Sequence, residues 1–196
     1  MNACRHAAIV AEPLGRPLLP AVFYGLIPRM SVEEHKRSAP VSVRAFVLTV
    51  SDTRDERTDT SGAAIVRLLE QAGHTVVGRQ IARDDPADVQ RIVRHQLAEP
   101  DAQILITTGG TGIASRDTTY EALAALLQKR IDGFGELFRM LSYDEIGSAA
   151  MLSRACAGVA GGKILFVLPG SEHAVQLALT KLILPELGHL LREVSR

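Results

Sequence analysis

The segment Thr107-Thr108-Gly109-Gly110-Thr111-Gly112-Ile113-Ala114-Ser115-Arg116-Asp117 follows a short apolar run, Ile104-Leu105-Ile106, and precedes an amphipathic helix that begins near Thr119. A buried strand that ends in a glycine-rich turn at a helix start is a phosphate-binding arrangement. Glycines let backbone N–H groups approach an anion closely, and the helix points its positive end at the same spot. An aspartate at the far end of such a loop puts a carboxylate beside phosphates. That is costly unless a cation sits between them, which points to Mg²⁺ and to phosphoryl or nucleotidyl chemistry.

The surrounding pattern dictates the fold class. Ala45 to Val50 is a continuous apolar run, suited to a strand covered on both faces. Asp59 or Thr60 then caps a helix with Ile65, Leu68, Leu69 and Ala72 on one face, closed by Gly73. Thr75 to Ile81 reads as a second strand. Asp85-Pro86 opens a helix with the stripe Val89, Ile92, Val93 and Leu97, which Pro100 ends. Gln103 to Thr107 is the third strand. Residues 121–128 are helical, with Thr118 and Glu121 at capping-box spacing, and Phe134 to Leu141 is a short helix. Ser153 to Val159 and Lys163 to Leu168 are strands around the hairpin signal Ala160-Gly161-Gly162. Ser171 to Ile183 is helical, Pro185 breaks or kinks it, and a last helical segment runs toward Val194.

Strands that alternate with helices give a three-layer α/β/α domain with a mostly parallel central sheet and one antiparallel strand. We place this domain at residues 41–196. Residues 1–40, punctuated by Pro13, Pro17, Pro20, Pro28 and Pro40, read as a flexible leader, within which Met30 is an alternative start. Ligands of such sheets bind at the carboxyl ends of strands. The informative loops are therefore 51–53, 82–85, 108–117 and 169–171.

Composition narrows the classes of function. With 22 basic and 22 acidic residues, the chain carries no general charge for nucleic acid. Cys4 and Cys156 form no zinc pattern, and the scattered histidines His74, His95, His173 and His189 read as surface residues. No apolar run reaches the roughly 18 residues of a membrane span. A cytoplasmic protein with neither nucleic-acid nor membrane partners is the expectation.

Each candidate site residue also has a plainer reading. The glycines match neither the Walker pattern nor GxGxxG, so they could simply form a strand–helix turn. Asp117 is not needed as a cap, because Thr118 and Thr119 can serve. Arg116 fits a phosphate clamp or a salt bridge equally well. Asp84 is a spare carboxylate, since Asp85 already caps before Pro86. Alone it reads as a loop charge; paired with Asp117 it becomes a metal-holding candidate. Ser171 is first of all an N-cap, and Ser51-Asp52-Thr53 is a similar polar turn.

The segments TVSDTRDERTDTSG (49–62), ITTGGTGIASRDTTYEAL (106–123), GFGELFRMLSYDEIGSAAMLSRACAGV (133–159) and LPGS (168–171) together resemble the molybdenum cofactor biosynthesis MoaB/MogA family, and the third is closer to its MoaB branch. The likeness spans residues 43–192. It implies a molybdopterin-binding domain, assembled as a homotrimer or homohexamer, that transfers AMP from ATP onto the terminal phosphate of molybdopterin with Mg²⁺. It places the family's two essential aspartates, which would hold the metal, at Asp84 and Asp117. Its ligand-binding loops fall on Ser51, Asp52, Gly109, Gly110, Thr111, Gly112, Glu121, Gly135, Glu136, Ser153, Arg154, Pro169, Gly170 and Ser171, beside which Arg116 stays the candidate phosphate clamp read above. Glu136 and Ser153 would face the pterin edge. Other molybdenum cofactor biosynthesis proteins are implied partners. The family often carries Pro where this chain has Tyr120. The alternative function is a carrier that binds molybdopterin without adenylylating it.

Overall fold

The computed structural model describes residues 42–115 and 117–196; the expected leader 1–40 and Arg116 lie outside the described residues. Six strands form one sheet in the order β2-β1-β3-β6-β5-β4. They are β1 (Arg44–Val50), β2 (Thr75–Ala82), β3 (Ile104–Thr108), β4 (Lys129–Arg130), β5 (Cys156–Ala160) and β6 (Lys163–Leu168). Strands β2, β1, β3 and β6 pair in parallel, whereas β5 runs antiparallel to both its neighbours. This is the mostly parallel sheet with one reversed strand that the sequence pattern calls for. The chain steps from β1 outward to β2 and then back across to β3, so the order reverses between β1 and β3. The carboxyl ends of those two strands flank the switch point where such sheets bind ligands.

The continuous apolar runs are buried on both sides because alternate residues serve different layers. Ala45, Val47, Ile104, Ile106, Ile164 and Phe166 pack against helices α1 (Thr60–Gln71), α4 (Asp132–Ile146), α5 (Glu172–Ala178) and α6 (Leu184–Val194). Phe46, Leu48, Leu105, Leu165 and Val167 meet Val89, Ile92 and Val93 of α2 (Pro86–Ala98) and Leu123 of α3 (Thr119–Ala124). Three layers result. Edge strand β2 alternates between exposed and half-buried residues over most of its length, as one unpaired side requires.

Local signals account for the element ends. Asp59 caps α1 by accepting from the Gly62 N–H at 2.9 Å. At its other end Gly73 adopts φ +82°. The N–H groups of Gly73 and His74 reach back to the carbonyls of Glu70 and Leu69, the double bond of a Schellman turn. Asp85 accepts from Asp88 N–H with Pro86 at the helix start. Gly161 and Gly162, at φ +56° and +74°, form the two-residue hairpin between β5 and β6.

Other expectations are corrected. Helix α3 ends at Ala124, and the residues assigned to its second half form tight turns instead, with Leu126 N–H and Leu127 N–H bonding three residues back. The chain then forms β4, a two-residue strand too short to leave a sequence pattern. Thr118 makes no side-chain cap bond, so the capping box does not form. Helix α4 is twice the expected length, and its extra turns carry exposed apolar residues. A 3₁₀ segment, Gly147–Leu152, follows it, so β5 starts at Cys156 and not at Ser153.

Pro185 does not break the last helix. A π turn, Leu179–Ile183, joins α5 to α6 just before it, and the wider turn accommodates a residue without an N–H. The joined helix, Glu172–Val194, is long and apolar enough to cross a membrane by length and composition alone. Its apolar stripe of Val175, Leu179, Ile183, Leu187 and Leu191 is instead buried in the domain core. His95 and His173 are exposed as expected, but His74 and His189 are half-buried. The Nδ1 of His74 is sealed without a partner, and that burial lowers its pKa.

Candidate functional site

Parallel pairing puts the carboxyl ends of β1, β2, β3 and β6 along one rim, which gathers four loops. Gly109 sits at its centre. Its N–H donates to the Leu168 carbonyl at the end of β6, 3.1 Å away. It adopts φ +100°, and a Cβ there would collide with the Val50 carbonyl at the end of β1. Only glycine lets these three strand ends converge. Gly170 lies against Gly109 from the other side. The Thr108 hydroxyl donates to the Pro169 carbonyl at 2.8 Å, which ties the 169–171 loop to the glycine-rich loop.

The two predicted catalytic carboxylates flank that loop. A Cβ on Gly110 would come within 2.8 Å of Asp84 Oδ1, and a Cβ on Gly112 would collide with the Asp117 carboxylate. Asp84 and Asp117 are therefore on the same side of the molecule, against residues two apart in sequence. Asp84 is fixed by two contacts. The buried Thr119 hydroxyl donates to its Oδ1 at 2.7 Å, and its own N–H donates to Asp52 Oδ1 at 3.2 Å. Asp117 curls its loop back on itself: its Oδ2 accepts from the Ala114 N–H at 3.2 Å.

These contacts use one oxygen of each carboxylate. Among the described residues, no cation pairs with Asp84 or Asp117. The described residues also contain no cluster of three or more His, Cys, Asp and Glu side chains that could cage a metal. Two carboxylates with oxygens to spare, next to an anion cradle, are the donor set Mg²⁺ accepts when phosphates and water complete its shell. The residues fit the group. Among the described residues, nothing accepts from the N–H groups of Gly110, Thr111, Gly112 or Ile113, so the loop offers free donors beside the two carboxylates.

The first loop is held from below by a buried charge. Asp59 has no accessible side-chain surface. It accepts from the Thr49 hydroxyl at 2.7 Å, from Gly62 N–H at 2.9 Å and from Arg79 Nη2 at 2.7 Å. Burial pushes its pKa up, but these hydrogen bonds outweigh that and hold it below the ordinary carboxylate range. Arg54, in the same loop as Ser51 and Asp52, lies 3.7 Å from Asp59 and bonds Ser61. Ser51 closes the turn by accepting from Thr53 and Arg54 N–H.

The remaining predicted residues divide between two recesses. Gly135 and Glu136 line one of about 200 Å³ with Tyr120, Arg130, Arg139 and Cys156. Ser153, Pro169 and Ser171 line another of about 380 Å³ beside His173 and Glu145, themselves 3.4 Å apart. Glu136 and Ser153 therefore belong to different recesses. Two larger hollows, of about 460 and 530 Å³, lie beside Gly161 and against the carboxyl-end half of β2 with Glu56. Ser171 keeps its plain role as N-cap of α5, accepting from Ala174 N–H at 3.2 Å. Glu121 bonds Arg154, whose Nη1 donates to the Gly112 carbonyl at 3.0 Å. Sequence reasoning missed the role of Thr119, which reads as an ordinary cap because its contact is 35 residues away.

The fold and this rim define a class: an α/β domain whose parallel strand ends gather a glycine-rich loop and two acidic side chains along one edge. Comparison with known proteins makes it specific. Residues 46–189 match the family model described as a probable molybdopterin binding domain. A Bacillus anthracis protein named molybdenum cofactor biosynthesis protein B is 54% identical over 168 residues, 85% of this chain and 99% of that one. The crystal structure of a molybdenum cofactor biosynthesis protein B superposes with a TM-score of 0.78 at 53% identity, covering 81% of this chain and 99% of its own. The tungsten cofactor synthesizing protein MoaB of Pyrococcus furiosus superposes with a TM-score of 0.72 at 37% identity, covering 81% and 100%. The chain belongs to the MoaB/MogA family of molybdenum cofactor biosynthesis proteins.

Proposed function

We propose that the protein transfers AMP from ATP to the terminal phosphate of molybdopterin, giving adenylyl-molybdopterin and pyrophosphate. The observation that carries this reading is the pairing of Asp84 and Asp117, each with an oxygen to spare, across a loop whose N–H groups lack acceptors. Asp84 and Asp117 would hold Mg²⁺, which when bound neutralises charge on the triphosphate and its leaving group.

The nucleophile is an oxygen of the molybdopterin phosphate. It forms a bond to the α-phosphorus of ATP while the bond from that phosphorus to the bridging oxygen breaks, and pyrophosphate leaves with the electron pair. A phosphate is already ionised at neutral pH, so no protein base is required. The N–H groups of residues 110–113 bind the phosphates, and Thr119 and Asp52 keep Asp84 in place. Positioning and charge stabilisation account for the acceleration. We assign the cytoplasm as the location. We also assign assembly into a homotrimer or homohexamer, supported by the apolar outer face of α4.

The test is incubation of the purified protein with ATP, Mg²⁺ and molybdopterin. Adenylyl-molybdopterin and pyrophosphate in equal amounts are expected. Tight molybdopterin binding with no AMP transfer would instead assign the protein as a carrier.

A further inference from the structure

In the glycine-rich loop the carbonyls of Gly110 and Gly112 are tied down, whereas among the described residues the N–H groups of residues 110–113 meet no acceptor. Tyr120 N–H donates to the Gly110 carbonyl at 3.3 Å, and Arg154 Nη1 donates to the Gly112 carbonyl at 3.0 Å. In a trans peptide, the C=O of one residue and the N–H of the next point in opposite directions. Fixing these two carbonyls therefore turns the N–H groups of Thr111 and Ile113 away from Tyr120 and Arg154, toward the open rim.

Arg154 has little left to offer a ligand. Its second terminal nitrogen bonds Glu121, and its guanidinium lies over the Tyr120 ring, 4.2 Å from the centroid. The Tyr120 ring lies beside Arg130 and Cys156, which line the same recess. A proline at position 120, which the resemblance leads one to expect, has no N–H and no aromatic face. It could supply neither contact.

We propose that Arg154 and Tyr120 are positioning residues that set the peptide planes of the glycine-rich loop, and that neither touches the ligand. This rests on reading the loop as an anion cradle. It takes Arg154 out of the ligand-binding set that the family resemblance implies. Ordering the amides before binding removes an entropic cost that the anion would otherwise meet.

Two readouts on the full-length protein test the proposal: ¹⁵N order parameters of the Thr111 and Ile113 amides, and calorimetric titration with magnesium pyrophosphate. In the wild type, and in Tyr120→Phe, the loop amides should sit near the rigid value of about 0.85. Arg154→Lys and Arg154→Met should both drop them toward about 0.6 or below, and weaken pyrophosphate binding alike, by about tenfold. Tyr120→Pro should loosen the loop in the same way. If Arg154 gripped the anion itself, Lys would keep most of the binding, Met would lose it and loop order would not change; that pattern overturns the proposal. If the wild type binds no pyrophosphate, the functional reading fails on its own. The order parameters still decide the positioning role: a loss of order in both Arg154 variants upholds it and unchanged values end it.

Discussion

Thr119, the first residue of α3, donates its hydroxyl across 2.7 Å to Oδ1 of Asp84, which follows β2. Thr119 is fully buried and Asp84 half-buried, and the bond joins the start of α3 to the loop after β2, 35 residues away. Among the described residues, the other oxygen of Asp84 has no hydrogen-bond partner. The acidic pair thus depends on a hydroxyl that takes no part in the chemistry.

Thr119→Val keeps the shape and removes that donor. Losing one partner of a buried hydrogen bond costs about 1–3 kcal/mol, so the variant should fold with a lower urea midpoint. AMP transfer should fall by about one to two orders of magnitude, because Asp84 is no longer held. Thr119→Ser should restore most of it. Product formation and urea melts on the three proteins check this.

Gly109 and Gly73 separate backbone strain from crowding. Both have positive φ, +100° and +82°. A Cβ on Gly73 meets nothing within 4 Å, whereas one on Gly109 runs into the Val50 carbonyl. Gly73→Ala should cost about 1–2 kcal/mol, the strain of a left-handed residue. Gly109→Ala should cost at least about 1–3 kcal/mol more through overpacking and abolish pyrophosphate binding. Denaturant titration of the two variants gives the comparison directly.

The sheet was legible because its cues are local: apolar runs, caps at Asp59 and Asp85, and glycine at 73, 161 and 162. The rim was legible for the same reason, since parallel strands place their following loops together. Contacts across the fold were not. Glu121 has the spacing to cap α3 but pairs with Arg154, because a guanidinium from the 153–155 segment reaches it first. Helix α4 was underestimated because Gly133 and Gly135 dilute its start, and its outer face is apolar where a solvated helix would be polar. Asp84 and Asp117 stood out in the sequence as spare carboxylates and through the family resemblance. Their positions beside Gly110 and Gly112 came from the fold.

The buried Asp59–Arg79 pair should set the acid limb of stability. The folded pKa of Asp59 lies below its unfolded value, about 3.9. The native state therefore binds this proton less readily than the unfolded chain does. The stabilisation is fully present above about pH 4 and is lost as pH falls through the folded pKa. Arg79→Met removes the nearer of two cations, leaving Arg54 at 3.7 Å, and should cost about 1–3 kcal/mol at neutral pH. The loss should shrink on acidification, as protonation relieves Asp59. Urea melts of both proteins between pH 3 and 7 measure the difference; parallel curves would assign the acid limb to other groups.

The outer face of α4 should be where copies of the chain meet. Leu137, Met140 and Tyr143 are 47, 55 and 62% exposed, and Met151 and Leu152 of the following 3₁₀ segment are 79 and 56% exposed. Contiguous apolar surface of this kind marks an interaction site more often than it faces solvent. A single charge placed in such a contact is desolvated without a partner, which is costly. Tyr143→Glu should therefore shift the protein to smaller species in sedimentation or light scattering, with its far-ultraviolet circular dichroism unchanged. Leu152 also lines the recess that holds Ser153 and Ser171. Dissociation should consequently weaken molybdopterin binding more than it weakens pyrophosphate binding at the glycine-rich loop, and titrating both ligands against wild type and variant tests that order.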